Sequence, residues 1–600
     1  MFLRKGDITV SYTLNQLKTP ELEAQAKKVF YAIAGEIRGS ATSSLSDVIY
    51  VAYLFYKLSS SEHNVAQEPS YPSEEAAKMQ LSRFESGEIT LNPYIRSSIL
   101  TPRIKQCFIE AYKVYEVFVN DAKIYASLVA LFDDYLGMSM GRFSGDISTP
   151  DSIVKLAQAI LNIEDGDRVA DICCGSGNFL TKSYEIAPRA NYFGYEINIS
   201  NATILAMKAD VLDINPSIAV GDVGYTLSDK SIEFNKIFAD PPLGMLIDKY
   251  NQAVCTAPFR LSKNSSDWYF NNIVIEHLSQ NGKAVTVAGM GSAWNTASQD
   301  ARKYFIDNGY IEAVINLPGG LLSSTNIPLA LYVFSHNNKA VRLVNAEGFA
   351  TTKDGRNKTF SDDTIREIIE LLQNDSEKNI TVTVGDIRSK DYSLAFRSYR
   401  SGLPEYENGT PISEVAEIIR GTLDPKASTT TENTGKYLLQ IADLENGLIK
   451  SDLGDDRYII AGKEHPEQKL LPYDIIVSRS AQPVKVAIIS PDETRELYSN
   501  GNMFIIRAKN PNVNPYYLAA FLLSKDGRDA LDYASTGSVL KTISANSLYK
   551  LIFPLREASE QKKIAEALLE SITQYKVYSY KADLAKQSIE NAYYSNSKED

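Results

Sequence analysis

Cysteine and histidine are both scarce: 600 residues contain four of each. Cys107, Cys173, Cys174 and Cys255 form no Cys-x-x-Cys pair. A zinc site draws on closely spaced thiolates and imidazoles, and a disulfide framework needs cysteines in number. Both are excluded, and no metal is expected. The thiols should be reduced and mostly buried. There is also no run of about 18 apolar residues, the length a membrane-spanning helix requires. The opening Met1-Phe2-Leu3-Arg4-Lys5-Gly6-Asp7 turns polar at once, without the apolar core of a signal peptide, which predicts a cytoplasmic location. Positive charge is in deficit, with 62 Lys and Arg against 74 Asp and Glu and a net charge of −12. That excludes a surface coated in basic residues for non-specific nucleic-acid binding. Phosphates respond to local patches, so a nucleic-acid role has to be argued from motifs. No Gly-x-x-x-x-Gly-Lys-Ser/Thr pattern occurs, which speaks against a nucleoside triphosphatase. No nuclease or helicase motif is present.

What is present divides by pattern. The length implies three or four domains. Residues 8 to about 135 read as helical: Leu22 to Ile37 and Leu45 to Tyr56 carry apolar residues at helical spacing, with breaks at Pro69 to Pro72 and Asn92-Pro93. From about 150 to 335, short β-rich runs alternate with helical stretches. The runs are Arg168 to Ile172, Tyr192 to Tyr195, Lys236 to Phe238, Lys283 to Val287, Glu312 to Leu317 and Leu329 to Phe334. This alternation predicts a parallel sheet with helices on both faces. The last two runs, separated by Pro318-Gly319-Gly320, are expected as an antiparallel edge. Residues 336–404 read as a bridge holding a strand (Ala340 to Val344), a polar loop and a helix from Asp362 to about Leu372. Pro404 and the Gly409-Thr410-Pro411 turn open a region of short β-rich runs reaching about 555. From Ala558 to about Ala592 one long helix is expected, with neither Gly nor Pro inside it.

Two local features carry chemistry. Asp171-Ile172-Cys173-Cys174-Gly175-Ser176-Gly177-Asn178-Phe179-Leu180 follows an apolar strand and opens a helical stretch. Gly175 and Gly177 let a backbone approach a ligand closely. Glu196, nineteen residues after Gly177, ends the run Tyr192 to Tyr195 and is placed to bind both hydroxyls of a ribose. A ligand-free strand-to-helix turn accounts equally for the glycines alone. A nicotinamide cofactor would want a third glycine where Leu180 stands. The second feature, Asp240-Pro241-Pro242-Leu243, follows the apolar run Ile237-Phe238-Ala239 at the expected fourth strand. Asp or Asn followed by Pro-Pro and an aromatic residue is the signature of amino-methyltransferases. The exocyclic N6 of adenine is a poor nucleophile, because its lone pair is delocalised into the ring. An acidic or amide oxygen beside a backbone carbonyl accepts both N6 hydrogens and favours a pyramidal nitrogen. The prolines hold the loop, and the fourth residue stacks on a flipped base.

With these motifs in order, the chain resembles the modification subunits of type I restriction–modification systems, which are adenine-N6 DNA methyltransferases. The resemblance covers nearly the whole chain. It implies that Ser148-Thr149-Pro150 matches a motif that helps hold the cofactor, S-adenosylmethionine. It also implies cofactor contacts from Thr149, Pro150, Asp171, Cys174, Gly175, Ser176, Gly177, Asn178 and Phe179, with Glu196 on the ribose and Asp222 near the cofactor adenine. Ser266-Asp267-Trp268-Tyr269-Phe270 and the stretch Ile311 to Phe334 resemble further family segments. Three positions depart from the pattern. Ile172 replaces a proline, Asp240 stands where Asn is usual, and Leu243 stands where Phe or Tyr is usual. Leu243 supplies no π face, which leaves a catalytically degenerate DNA-binding or assembly subunit as the alternative function.

Residues after 405 resemble a specificity subunit of the same systems. Ile419-Arg420-Gly421, Asp474 to Ser480, Gly537-Ser538 with Ile543-Ser544, and Ile552 to Leu555 with Glu560 to Ile564 carry this likeness. A full specificity subunit has two recognition domains and two long helices, and this chain carries one of each. The resulting expectation is a multidomain α/β protein. It comprises a helical N-terminal domain (1–137), a Rossmann-like class I S-adenosylmethionine methyltransferase domain (138–335), the bridging segment (336–404), a mixed β-rich target-recognition domain (405–555) and a C-terminal long helix for dimerisation (556–600). Ile564, Leu568, Ser571, Tyr575, Tyr578, Ala582, Ala585 and Ile589 form a coiled-coil seam. Paired antiparallel in a homodimer, two copies would read inverted half-sites on double-stranded DNA. Arg420, Arg479, Lys541 and Lys550 are the candidate phosphate neighbours. Any DNA cleavage would fall to a separate nuclease subunit.

Overall fold

The computed structural model describes residues 12–37, 44–61, 73–118, 121–133, 149–247, 256–263, 266–322, 325–354, 357–399, 406–424, 428–454, 456–480, 483–536 and 542–595. Met1 to Asp7, Pro69 to Pro72, Ser148, Cys255, Gly537-Ser538 and Lys541 lie outside the described residues. The chain forms two compact units, Met1–Tyr399 and Arg400–Asp600.

In the first unit, the N-terminal region is helical as its periodicity predicts. Helix α1 (Pro20–Ile37) buries Leu22, Ala26, Val29, Phe30, Ile33, Ala34 and Ile37, a stripe at spacings of three and four. Helix α2 (Leu45–Ser59) is buried at every position from Asp47 to Tyr56, so it is the centre of this layer. Asn92-Pro93 is a helix start rather than a break. The Asn92 side chain accepts from the Tyr94 amide at 2.9 Å and caps Pro93–Ile99.

The central sheet contains nine strands: β1 (Arg168–Asp171), β2 (Asn191–Glu196), β3 (Ser217–Val220), β4 (Phe234–Ala239), β5 (Leu278–Gly289), β6 (Ile311–Leu317), β7 (Leu329–Phe334), β8 (Ala340–Asn345) and β9 (Asn379–Thr383). Their order is β9-β8-β6-β7-β5-β4-β1-β2-β3. Strands β1 to β5 pair in parallel, so their carboxyl ends open on one edge. In such sheets that edge is where ligands bind. β3 and β9 were not expected: Ser217–Val220 and Asn379–Thr383 are the two edges of the sheet and are only partly buried.

Two expectations are corrected. β6 and β7 do pair antiparallel, but they are not the edge: β7 inserts between β5 and β6, and β8 and β9 continue outward. Every residue of β7 is buried, a pattern that belongs to an interior strand. The stretch 336–404 does not behave as a bridge. It supplies β8 and β9, and its helix Asp362–Gln373 buries Ile365, Ile368 and Leu371 in the core on one face of the sheet.

The helical layer and the sheet also share a core. Helix α3 (Ile199–Leu212) buries residues on every side. Its Ile204, Met207, Val211 and Leu212 pack among the N-terminal helices, and its Leu205 packs beneath the sheet. Polar ties follow the same route. The Tyr53 hydroxyl donates to Asp210 at 2.8 Å, and the fully buried Lys208 pairs with Asp133.

In the second unit, four strands, β10 (Ala416–Arg420), β11 (Ile475–Ser478), β12 (Val486–Ile488) and β13 (Met503–Ala508), form an antiparallel sheet in the order β10-β13-β11-β12. A smaller four-stranded sheet and short ladders accompany it. Helix α4 (Ala558–Ser595) begins on this core. Ala565 is buried there, and Ile564, Leu568 and Ile572 pack against it. The seam expected for pairing is thus divided, with its first two positions, Ile564 and Leu568, occupied by the unit's own core. Further along, Leu569, Tyr578, Leu584 and Ile589 are exposed. No described helix is long and apolar enough to cross a membrane.

Candidate active site

The carboxyl ends of β1 to β4 each hand the chain to an acidic residue or a glycine turn. After Asp171, the loop turns through Gly175 (φ +51°) and Gly177 (φ +85°) into the helix Asn178–Ile186. A Cβ on Gly177 would stand 2.2 Å from Leu205 Cδ1 on α3, so the second glycine is required by packing as well as by φ. A Cβ on Gly175 would meet nothing within 4 Å. That open side faces a cavity of about 510 Å³, within the roughly 300–1,000 Å³ usual for small-molecule sites.

Glu196 closes β2. Its Oε2 accepts from the Gly175 amide at 2.8 Å and its Oε1 from the Asn198 amide at 2.7 Å, which locks the glycine loop to the neighbouring strand. Asp222 follows β3 and accepts from the Gly224 amide at 2.8 Å and the Tyr269 hydroxyl at 3.4 Å. Asp240 follows β4. Its Oδ2 accepts from the Thr149 hydroxyl at 2.6 Å.

Gly175, Glu196, Asp222, Asp240, Pro241, Pro242 and Leu243 all line the cavity. The other expected cofactor-contact residues do not. Asp171 is buried beneath the loop, where it accepts from the Cys173 amide at 3.1 Å. Phe179 stacks on Phe238 in the core, with centroids 4.4 Å apart. Cys174 is buried in the same core, and its neighbour Cys173 is the one that reaches the cavity. The Ser176 hydroxyl points away from the cavity and donates to Asp133. Gly177 and Asn178 shape the turn, and Thr149 and Pro150 stand behind Asp240 and the start of helix Asp151–Leu161.

Several lining residues carried no signal of their own. Ile197, 70% exposed at the lip, follows Glu196 directly. Tyr269 and Phe270 stand in the Ser266 to Phe270 segment flagged in the sequence, and Leu322 follows Pro318-Gly319-Gly320. Met245 and Leu322 are further aliphatic lining residues, in addition to Leu243.

The electrostatics are one-sided. Glu196, Asp222 and Asp240 line the cavity without a single Lys, Arg or His among the described lining residues. Burial pushes the Asp240 carboxyl up to about 6, with the Thr149 hydrogen bond acting against it. Asp171 is pushed well up by burial and then by the charges of Asp240 and Glu196, and the Cys173 thiol likewise by burial and Asp171. Such a cavity suits a cationic ligand better than a phosphate-bearing one.

In the second unit, Arg420 and Arg479 stand at the same end of the four-stranded sheet: Arg420 is opposite Phe504, and the Arg479 amide donates to Asn502 at 2.8 Å. Lys550 is exposed and ends the helix Ala545–Tyr549.

Residues 122–408 match the N-6 DNA Methylase family, and residues 408–576 match the Type I restriction modification DNA specificity domain. The chain is 25% identical over 324 residues to the Type I restriction enzyme HindI methylase subunit of Haemophilus influenzae, a match spanning 49% of this chain and 72% of that protein. Among solved structures, the type I restriction-modification system methyltransferase subunit from Streptococcus thermophilus aligns with a TM-score of 0.50 at 18% identity, covering 65% of this chain and 100% of that one. The type IIL restriction-modification enzyme MmeI, solved in complex with DNA, aligns with a TM-score of 0.50 at 10% identity, covering 94% and 91%. At these identities the structural likeness is one of fold.

Proposed function

We propose, for a chain whose residues 122–408 belong to the N-6 DNA Methylase family and whose residues 408–576 belong to the Type I restriction modification DNA specificity domain, an adenine-N6 DNA methyltransferase of a restriction–modification system that draws its methyl group from S-adenosylmethionine. The observation that carries this reading is the shared cavity, in which Asp240 stands with Gly175, Glu196 and Asp222.

The residues present fit the cofactor. Gly175 leaves room for close approach, Glu196 and Asp222 offer acceptors at the ends of β2 and β3, and Ile197 offers an apolar lip. The acidic lining is matched to a sulfonium cation. Bound there, S-adenosylmethionine supplies an electrophilic methyl group.

Asp240 accepts hydrogen bonds from the N6 amino group of a flipped adenine and is placed to take the proton that N6 sheds. Its raised pKa makes it a stronger base than an exposed carboxylate. Pro241 and Pro242 stiffen the loop, and Leu243 offers the base an aliphatic contact where an aromatic one is usual. The second unit reads the DNA target, with Arg420, Arg479 and Lys550 as phosphate neighbours; Lys541 is outside the described residues. The distal part of α4 pairs with a second copy, so a homodimer presents two recognition units. DNA as the substrate places the protein in the cytoplasm, and cleavage falls to a separate chain.

The test is methylation of DNA lacking N6-methyladenine, mapped by single-molecule sequencing. Methylation at an interrupted, inverted site supports enzyme and dimer together. Asp240→Ala should lower the rate by about 10²–10⁴-fold. Activity should fall as pH drops through about 6, because protonated Asp240 can no longer take the proton that N6 sheds. A protein that binds S-adenosylmethionine but methylates no site sinks the reading.

A further inference from the structure

Asp240 differs from the other acidic residues at the strand ends in where its hydrogen bond comes from. Asp171 accepts from the amide of Cys173, Glu196 from that of Asn198 and Asp222 from that of Gly224, at 3.1, 2.7 and 2.8 Å. In each case the donor lies two residues on, the ordinary way such a side chain is fixed by its own turn. Asp240 is followed by Pro241 and Pro242, neither of which has an N–H to donate. The Pro-Pro pair therefore leaves the carboxylate without a local anchor, and its terminal torsion is soft.

The anchor comes from 91 residues earlier in the chain. The Thr149 hydroxyl donates to Asp240 Oδ2 at 2.6 Å. Thr149 is itself held by the glycine loop, since Asn178 Nδ2 donates to the Thr149 carbonyl at 2.8 Å. The other charged or titratable groups that line the cavity or lie beneath it are Asp171, Glu196, Asp222, Cys173, Tyr195 and Tyr269. None of these is a cation that could fix the carboxylate.

We propose that Thr149 is a positioning residue for the methyl-transfer reaction. Its hydroxyl pins Oδ2 of Asp240, leaving Oδ1 for the N6 hydrogens of the substrate base, and Asn178 ties that arrangement to the glycine loop. This rests on the methyltransferase reading. It gives Thr149 a different task from holding S-adenosylmethionine, and consistent with this Thr149 does not line the cavity.

Thr149→Val keeps the shape and removes the donor, and Thr149→Ser restores it. The measurements are kcat from about pH 5 to about pH 9 and S-adenosylmethionine affinity by calorimetry. Removing a hydrogen bond to a charged group should lower kcat about ten- to a hundredfold. Because the bond favours the ionised form, its loss should also shift the acid limb to higher pH. Cofactor affinity should stay within about twofold, which also shows that the variant is folded. Thr149→Ser should recover rate and limb together. A weakened cofactor affinity with the limb unmoved would overturn the proposal in favour of a cofactor-holding role, and so would an unchanged kcat. An active wild type with an indifferent Thr149→Val sinks the proposal alone. A wild type that never methylates sinks the functional reading and the proposal with it.

Discussion

In the first unit, Lys208, Asp133 and Ser176 carry polar groups inside the protein; in the second, Leu569, Tyr578, Leu584 and Ile589 carry apolar ones outside it. Both arrangements are costly on their own, and each is tolerable only with a partner. Inside the first unit the partners are present. Burial alone would push the Asp133 carboxyl up, yet the Lys208 ammonium and the Ser176 hydroxyl hold it below the usual range. The result ties the end of the N-terminal helices to the glycine loop and to α3. Along α4, the first turns find their partner in the unit's own core and Tyr575 accepts from Asn446 at 2.7 Å, while Tyr578 and Ile589 of the expected seam stay exposed. A buried charge network thus holds a site in place, whereas apolar residues of α4 stay in contact with solvent.

The largest effect should come from breaking the buried network. Lys208→Met leaves the Asp133 carboxylate buried without its cation, which should cost about 3–5 kcal/mol. Chemical denaturation of the full chain would show it as a lower midpoint. A change near zero would mean that water reaches Asp133 and that the two units differ less than their burial suggests. Next comes the face without a partner. Stopping the chain after Thr573 keeps Ile564, Ala565, Leu568 and Ile572, which pack on the unit's own core. Light scattering should then report a monomer where the full chain gives a dimer, with methylation at a two-part site lost. A dimer that survives the truncation would place the contact elsewhere. The smallest effect concerns Leu243 in the cavity lining. Leu243→Phe supplies a π face worth about 1–3 kcal/mol per base in nucleic-acid sites, in a cavity that already holds Leu243 at its lining. We expect a gain of about tenfold or less in kcat/KM. A loss would show that the lining is shaped for leucine.

The site was unevenly legible in the sequence. Gly175, Glu196 and Asp240 to Leu243 were readable because each follows an expected strand run at a spacing set by a strand–helix–strand repeat, whereas Asp222, after a strand that was not expected, was marked only through the family resemblance. Asp171, Cys174, Ser176 and Phe179 are in the same motif, but they turn inward to support it instead of lining the cavity. A motif records which residues occur together and not which way each one faces. Met245 and Leu322 were invisible for a related reason: an aliphatic residue in a cavity wall has no composition that separates it from one in a core. The bridge expected over 336–404 failed because a short strand gives no sign of the sheet it will join.

The sequence by itself determined most of the elements and the turns between them: the interior strands of the sheet and their alternation with helices, the positive φ at Gly175 and Gly177, and the missing amides at Pro241 and Pro242. These are local properties, fixed by side-chain periodicity and by what each backbone unit can adopt. Only the tertiary structure decided that β7 lies between β5 and β6, that Lys208 meets Asp133, and that Thr149 provides the anchor which the two prolines deny Asp240. Those pairings join residues far apart in the chain. They depend on the register and packing of the whole sheet, which no short stretch of sequence specifies.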